Sequence, residues 1–411
     1  MSHSCHSKPS PEFLEPTRVS TLRMALLVIG LLSLIATAFI GMQDMRQLAF
    51  SWLFAVIVCY TVCVGSTFWI LLHHAVDARW SVVVRRVLEN VASLFPYLAL
   101  AFIPLVYMAP YLWKWMLLAP GADPLLDHKS GYLNKTFFYI RMTFYLGYFS
   151  FITVFFRNLS ISQDKDGNPY PSLWMRKISY VGIPLLALSI TFSAFDWLMA
   201  LDFHWASTMW GVYIFAGSVL SSMAVLILIS NALNKAGYLQ KIFTPEHNHA
   251  MGKLLLAFTI FWGYISFSQY FLIYYANIPE ETTFYIFRNE GEWRWMSMFL
   301  VVAHFIIPFL LLLTQPAKLN SNRLCFIAGW ILTVHVVDIY WIIMPIKQVL
   351  ENKLSIDIAE SSTSISPHLV DFTALIAIAS LLGFFLIRRI TSACLFPVRD
   401  HRLAESIQLK N

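Results

Sequence analysis

Charge is what this chain of 411 residues has least of. Asp, Glu, Lys and Arg together make up 13%, about half the share in a soluble domain. With 58% of residues hydrophobic, the chain has more apolar surface than a water-soluble fold can hide, which points to an integral membrane protein. Cysteine is scarce too. Cys59, Cys63, Cys325 and Cys394 fall in or beside apolar segments, where they read as small buried hydrophobes, and Cys5 lies in the N-terminal tail. Five scattered cysteines exclude a disulfide framework, and no C-x-x-C-H run is present to attach a c-type haem. Also missing are a P-loop, Rossmann glycines, a zinc-binding helix and a nucleophile elbow, so no catalytic residues are expected. With no Arg-rich arm, the net charge of +6 speaks for cationic loops beside anionic lipid and against nucleic acid. Residues 1–22 are polar and Pro-rich and lack the apolar core of a cleaved signal peptide. They are expected to be a disordered tail, a reading favoured over a metal site at His3, Cys5 and His6.

What the chain does contain is long apolar runs. A bilayer-crossing helix needs about 20 mostly apolar residues. Ten segments qualify, near 23–41, 48–73, 92–113, 133–157, 178–199, 208–233, 251–277, 295–314, 323–346 and 369–390. They are called spans one to ten below. Lys and Arg gather on alternate connectors, twenty on the side that carries both chain ends against eight on the other, with Arg141 left inside a span. The positive-inside rule then makes both termini cytoplasmic.

A charge at the bilayer centre costs about 2.5–3.5 kcal/mol on insertion scales, so polar groups in the spans are expected to face protein or water. Span nine places His335 and Asp338 three residues apart on one helical face, and span eight carries His304 at a comparable depth. Span seven adds Tyr264, Ser266, Ser268 and Gln269, and span six Ser218, Ser221 and Ser222. Titratable stations joined by hydroxyls suit a proton path; the alternative for the serines is ordinary helix–helix adhesion. Haem b would need paired histidines on facing helices, and only His304 and His335 share a mid-membrane depth, so haem is disfavoured. Nearer the outside, Arg141 of span four could meet Asp196 of span five as an ion pair. His73, His74, Arg79, Arg85, Arg86 and Glu89 cluster at the cytoplasmic side and are expected to touch lipid headgroups. His247 and His249 are expected to be solvated.

The stretch from Ser189 to Tyr213, SITFSAFDWLMALDFHWASTMWGVY, sets Asp196, Asp202 and His204 among tryptophans where span five gives way to span six. Trp197, Trp205 and Trp210 read as an interfacial aromatic belt. Asp202 is placed to accept amide hydrogens near the start of span six. Glu280, Glu281, Glu290 and Glu292 lie on the same outer face.

The runs FDWLMALDFHWASTMWGVYIFAGS and KLLLAFTIFWGYISFSQYFLIYYANIPEET, with YLNKTFFYIRMTFY in span four, resemble the F membrane subunit of bacterial alternative complex III. That family is also labelled quinol:cytochrome c oxidoreductase quinone-binding subunit 2, and it is related to the polysulfide-reductase/NrfD-type membrane subunits. The similarity runs from about span two through span nine. The resemblance implies an all-α integral membrane protein with two four-helix bundles, spans two to five and six to nine, flanked by spans one and ten. It divides the chain into a tail at 1–22, a first helix at 23–47, a first bundle at 48–204, a second at 205–348, an outer loop and last helix at 349–390, and a cytoplasmic tail at 391–411. It further implies a bacterial inner-membrane complex. The expected partners are a homologous NrfD-type membrane subunit, an iron–sulfur subunit and c-type cytochrome subunits. Menaquinol or another quinol would be oxidised at the outer side, and haem c and iron–sulfur clusters would sit in those partners rather than in this chain. A proton route through His304, His335, Asp338, Gln269, Tyr264, Ser222, Arg141 and Asp196 is the accompanying expectation, with Asp202, His204, Glu280 and Glu281 as an outer docking surface. Two rivals stay open. One is a stand-alone proton-coupled secondary transporter broken near Pro96, Pro104 and Pro110; the other is a quinone-binding subunit proper, with the ring between spans two and five.

Overall fold

The computed structural model describes residues 12–352 and 364–410. The tail residues His3, Cys5 and His6, and positions 353–363 of the expected outer loop, lie outside the described residues. Every regular element among the described residues is a helix. Nine helices are long and apolar enough to cross a membrane: Ser20–Gly41, Met45–Ala75, Lys135–Asp166, Tyr170–Leu201, Trp210–Lys235, Pro245–Ala276, Trp293–Leu313, Ser321–Gln348 and Leu369–Thr391. They are spans one, two and four to ten.

Span three differs from its expected form. It starts earlier, as Arg79–Leu100, then bends by 63° into Ile103–Leu112. Pro104 has no N–H and its ring crowds the carbonyl four residues back, so a straight helix fails here. The carbonyl of Ala101 exposed at the break accepts the indole N–H of Trp52 at 2.8 Å. The bend is thus capped by span two at this carbonyl. The two pieces still make one crossing. Trp80 bonds the C-terminal segment, while the connector that follows Leu112 brings Lys129 to the carbonyl of Phe203 at the opposite end.

Span two is buried nearly all round, which explains why its apolar residues show no preferred face. It packs on spans three, five, six, nine and ten. Span six is its counterpart in the second bundle, packed on spans five, seven and nine as well as two. The two helices cross so closely at Gly65 that a Cβ there would lie 1.9 Å from the carbonyl oxygen of Ser218. Spans one and ten pair with each other, and span ten leans on span two. Asp371 of span ten accepts hydrogen bonds from Gln47 at 2.8 Å and Ser51 at 2.5 Å, both on span two.

The first and last described segments lie at one end of the fold, where the amide of Leu395 donates to the carbonyl of Glu12. The C-terminal segment straps across the first bundle there. Asp400 pairs with Arg85, Arg402 with Asp77, and the Ser406 hydroxyl donates to the carbonyl of Trp80. Beneath it, Glu89 meets Arg86 at 3.0 Å and Arg85 at 3.5 Å, and Arg86 also reaches Asp164 at 2.8 Å. The expectation of lipid-headgroup contact is therefore corrected for His73, His74, Arg85, Arg86 and Glu89, all of which are buried. These cations found carboxylates inside the protein, which removes the need for lipid phosphate. Arg79 alone stays exposed, paired with Glu405. His247 and His249 are buried as well; His247 Nδ1 accepts the amide hydrogen of Thr244 and caps the start of span seven.

Candidate functional site

The interior of the second bundle is shaped by an irregularity in span eight. Pro308 cannot donate to the carbonyl of His304, and the preceding residues Val301–Ile306 widen into a π-helical turn. The Ala303 carbonyl in this turn accepts the indole N–H of Trp330 at 2.8 Å. His304 lies inside the same turn and is fully buried.

Span nine meets it with His335 and Asp338, one turn apart on one face as expected. His335 Nε2 is 2.9 Å from Thr61 Oγ1 of span two, and its ring lies over Gly217 of span six, where a Cβ would come within 3.0 Å. Asp338 Oδ1 accepts the hydroxyl hydrogen of Tyr213 at 2.5 Å. Trp262 of span seven joins the parts, its ring 4.0 Å from His304 and 6.0 Å from Tyr213 between centroids. The imidazoles of His304 and His335 are 6.2 Å apart.

Both ring nitrogens of His304, Nδ1 of His335 and Oδ2 of Asp338 have no hydrogen-bond partner among the described residues. Leaving such an atom dry costs about 1–3 kcal/mol, and internal water is the usual remedy. Chemically, the cluster offers two imidazoles, a carboxyl and a phenol within a few ångströms. Those are groups that can accept and pass a proton.

Three residues expected in this path lie elsewhere. Ser222 donates to the carbonyl of Val219 in its own helix and lines the crossing with Gly65. Gln269 donates to the Tyr285 hydroxyl at 3.2 Å, toward the end opposite the termini. Tyr264 is 63% exposed and faces outward. Helical phase is the reason: Tyr264 is two residues past Trp262, about 200° round the helix.

The Arg141–Asp196 pair forms as expected but stands apart, in the first bundle. Nε and Nη2 of Arg141 donate to the two carboxylate oxygens at 2.8 and 2.7 Å. Tyr145 adds a hydroxyl donor at 3.0 Å, and the guanidinium lies 3.8 Å from the Tyr132 ring centroid. Asp202 does not cap span six, whose helix starts eight residues later at Trp210. Its carboxylate accepts the amide hydrogen of His204, while His204 Nε2 pairs with Asp123 at 2.8 Å. The amide of Leu126 and the His204 ring hold the exposed Asp123 carboxyl below its usual range. Burial pushes the Lys129 ammonium down. Asp123, Asp202 and His204 border a recess of about 170 Å³ that also takes in Lys114, Phe287 and Arg288. Glu280 is exposed, and the Glu281 carbonyl accepts the indole N–H of Trp205, which lines the recess. Trp197, Trp205 and Trp210 are buried rather than set in an interfacial belt; Trp197 meets Tyr60 edge to face, while Trp205 and Trp210 stack on Phe284 and Tyr213.

Sequence reasoning missed Thr61, Tyr213, Trp262, Arg288 and Asp371. Tyr213 closes the quoted aromatic stretch, but nothing local marks it as the donor to a carboxylate 125 residues away. Arg288 had a readable signal. Pro345 releases carbonyls one turn back in span nine, and Arg288 donates to those of Trp341 and Ile342 at 3.1 and 2.7 Å. Burial pushes its guanidinium down to about 9.

These features define an all-α, multi-pass membrane protein whose second bundle encloses a tyrosine–aspartate hydrogen bond and two facing imidazoles. No family model matches the chain, and no curated protein matches it significantly.

Proposed function

We propose that this chain is the redox-silent membrane subunit of a quinol-oxidising respiratory complex of the alternative complex III type, and that its second bundle conducts protons. The sequence runs that resemble that family support the first half. The second half rests on one observation: spans six, seven, eight and nine bring Tyr213, Trp262, His304, His335 and Asp338 around one buried point. In this reading both termini are cytoplasmic in a bacterial inner membrane. Quinol is oxidised, and haem c and iron–sulfur clusters reside, in partner subunits. The recess at Asp123, Asp202 and His204 then faces those partners.

The geometry favours neither rival. A transporter needs its broken helix to line a substrate cavity, whereas the freed carbonyl in span three is held by Trp52. A quinone ring between spans two and five would compete for space already filled by Tyr60, Phe95, Phe102, Phe149 and Trp197.

The test is Asp338→Asn in the intact complex, with protons moved per electron as the readout. A lower stoichiometry at preserved electron transfer is expected; an unchanged one removes Asp338 from the path. Purification of the native assembly checks the partners. Recovery without cytochrome c or iron–sulfur proteins would overturn the complex itself.

A further inference from the structure

A groove of about 570 Å³ opens on the flank of the second bundle, between spans seven and eight. Its size falls within the about 300–1,000 Å³ typical of small-molecule sites. Tyr213 and Trp262 form its floor, so it reaches the buried cluster from the side. Phe305 shapes its base by packing onto Gly263, where a Cβ would come within 2.5 Å of the ring. Its rim carries Tyr264 and Phe267, 63% and 65% exposed. Toward the end opposite the termini it continues into a recess of about 400 Å³, with Tyr270, Tyr285 and Asn289 common to both. The outer recess is more polar than the groove, with Asn277, Thr282, Asn289 and Glu290 set among Ile273, Ile286 and tyrosines.

The slot is therefore amphiphilic along its length, apolar at depth and polar at its mouth. At depth Tyr213 is committed to Asp338 and Ser297 donates to the carbonyl of Arg288, which leaves Ser266 Oγ as a buried hydroxyl without a partner among the described residues. One such hydroxyl in a lining that is otherwise largely aromatic and aliphatic suits a tail inward and a head outward. Charge narrows the head. Neither recess is lined by Lys or Arg, and Glu290 is the single ionised side chain on their borders.

We propose that this slot binds a phospholipid with an ammonium-bearing headgroup, one acyl chain against Tyr213 and Trp262 and the ammonium at Glu290. The amides of Asn277 and Asn289 offer donors to its phosphate. The chain covers the Tyr213–Asp338 pair on the side that faces lipid. This assignment does not depend on the respiratory reading.

The experiment uses the full-length protein, delipidated in detergent and re-exposed to vesicles of phosphatidylethanolamine or phosphatidylglycerol, with retained lipid counted by native mass spectrometry. One tightly held phosphatidylethanolamine per chain is expected. Glu290→Gln should erase the preference over phosphatidylglycerol, a change of about two- to fivefold, as for an exposed ion pair. Val301→Trp, at a position 57% exposed on the groove wall, should block retention of both lipids without touching the mouth. Equal retention of the two lipids by the unaltered protein, or retention unaffected by Val301→Trp, would overturn the proposal. So would a native preparation that holds a quinone, or a partner's helix, in the groove instead.

Discussion

Arg141 and Asp196 join spans four and five by two parallel hydrogen bonds at 2.8 and 2.7 Å, with the carboxylate fully buried. Removing one partner strands the other charge, whereas removing both leaves an apolar contact. Arg141→Ala is expected to cost about 3–5 kcal/mol, and Arg141→Met with Asp196→Leu much less. Thermal melting of the two variants in one detergent separates them. Equal losses would mean that the pair is not what holds these helices.

Tyr213→Phe takes the phenol donor from Asp338 Oδ1 with little change of volume at the site. Stability should fall by about 1–3 kcal/mol, the cost of an unsatisfied buried acceptor. The carbonyl band of Asp338 in infrared difference spectra should shift at the same time. A band that does not move would show that the phenol is not bonded to this carboxyl.

Gly65→Ala places a methyl group 1.9 Å from a backbone oxygen of span six, and backbone cannot swing aside. A loss of about 3 kcal/mol or more is expected, since overpacking here moves whole helices. Gly147→Ala in span four, with nothing within 4 Å, should be neutral or mildly stabilising. The comparison is made by yield of folded protein and by melting temperature.

Asp123 gives the expected pH dependence. Its folded carboxyl lies below the unfolded value of about 3.9, so the unfolded state binds more protons as acid is added. Its contribution is complete above the unfolded value and is lost as pH falls through the folded one. Asp123→Asn should flatten the acid limb of the melting curve below about pH 5 and leave the neutral region little changed. An identical acid limb would show that Leu126 and His204 do not hold this carboxyl.

The fold was legible because its signals are local. Twenty-residue apolar runs gave every span, and Pro96, Pro104 and Pro110 together offered a break in span three. The pairing of Arg141 with Asp196 was legible too, because each lies within about two turns of the outer end of its own helix and the two helices are neighbours. The missed partners are distant in sequence and chemically plain. Thr61 reaches His335 across 274 positions, and Trp262 looks like any core aromatic until its ring is seen beside His304. Depth along a span could be read from sequence, but rotation about it could not. Tyr264 shares the level of the cluster and points away from it. The cationic patch at Arg85 and Arg86 misled for a related reason, since its carboxylates come from Asp164 and the far C-terminal Asp400.

That last contact bears on biogenesis. Arg85 belongs to span three, while Asp400 follows span ten. Until Asp400 has been synthesised, the floor of the first bundle lacks a carboxylate it is built around. The membrane domain therefore closes only after its tenth span, from that late segment back onto its early helices.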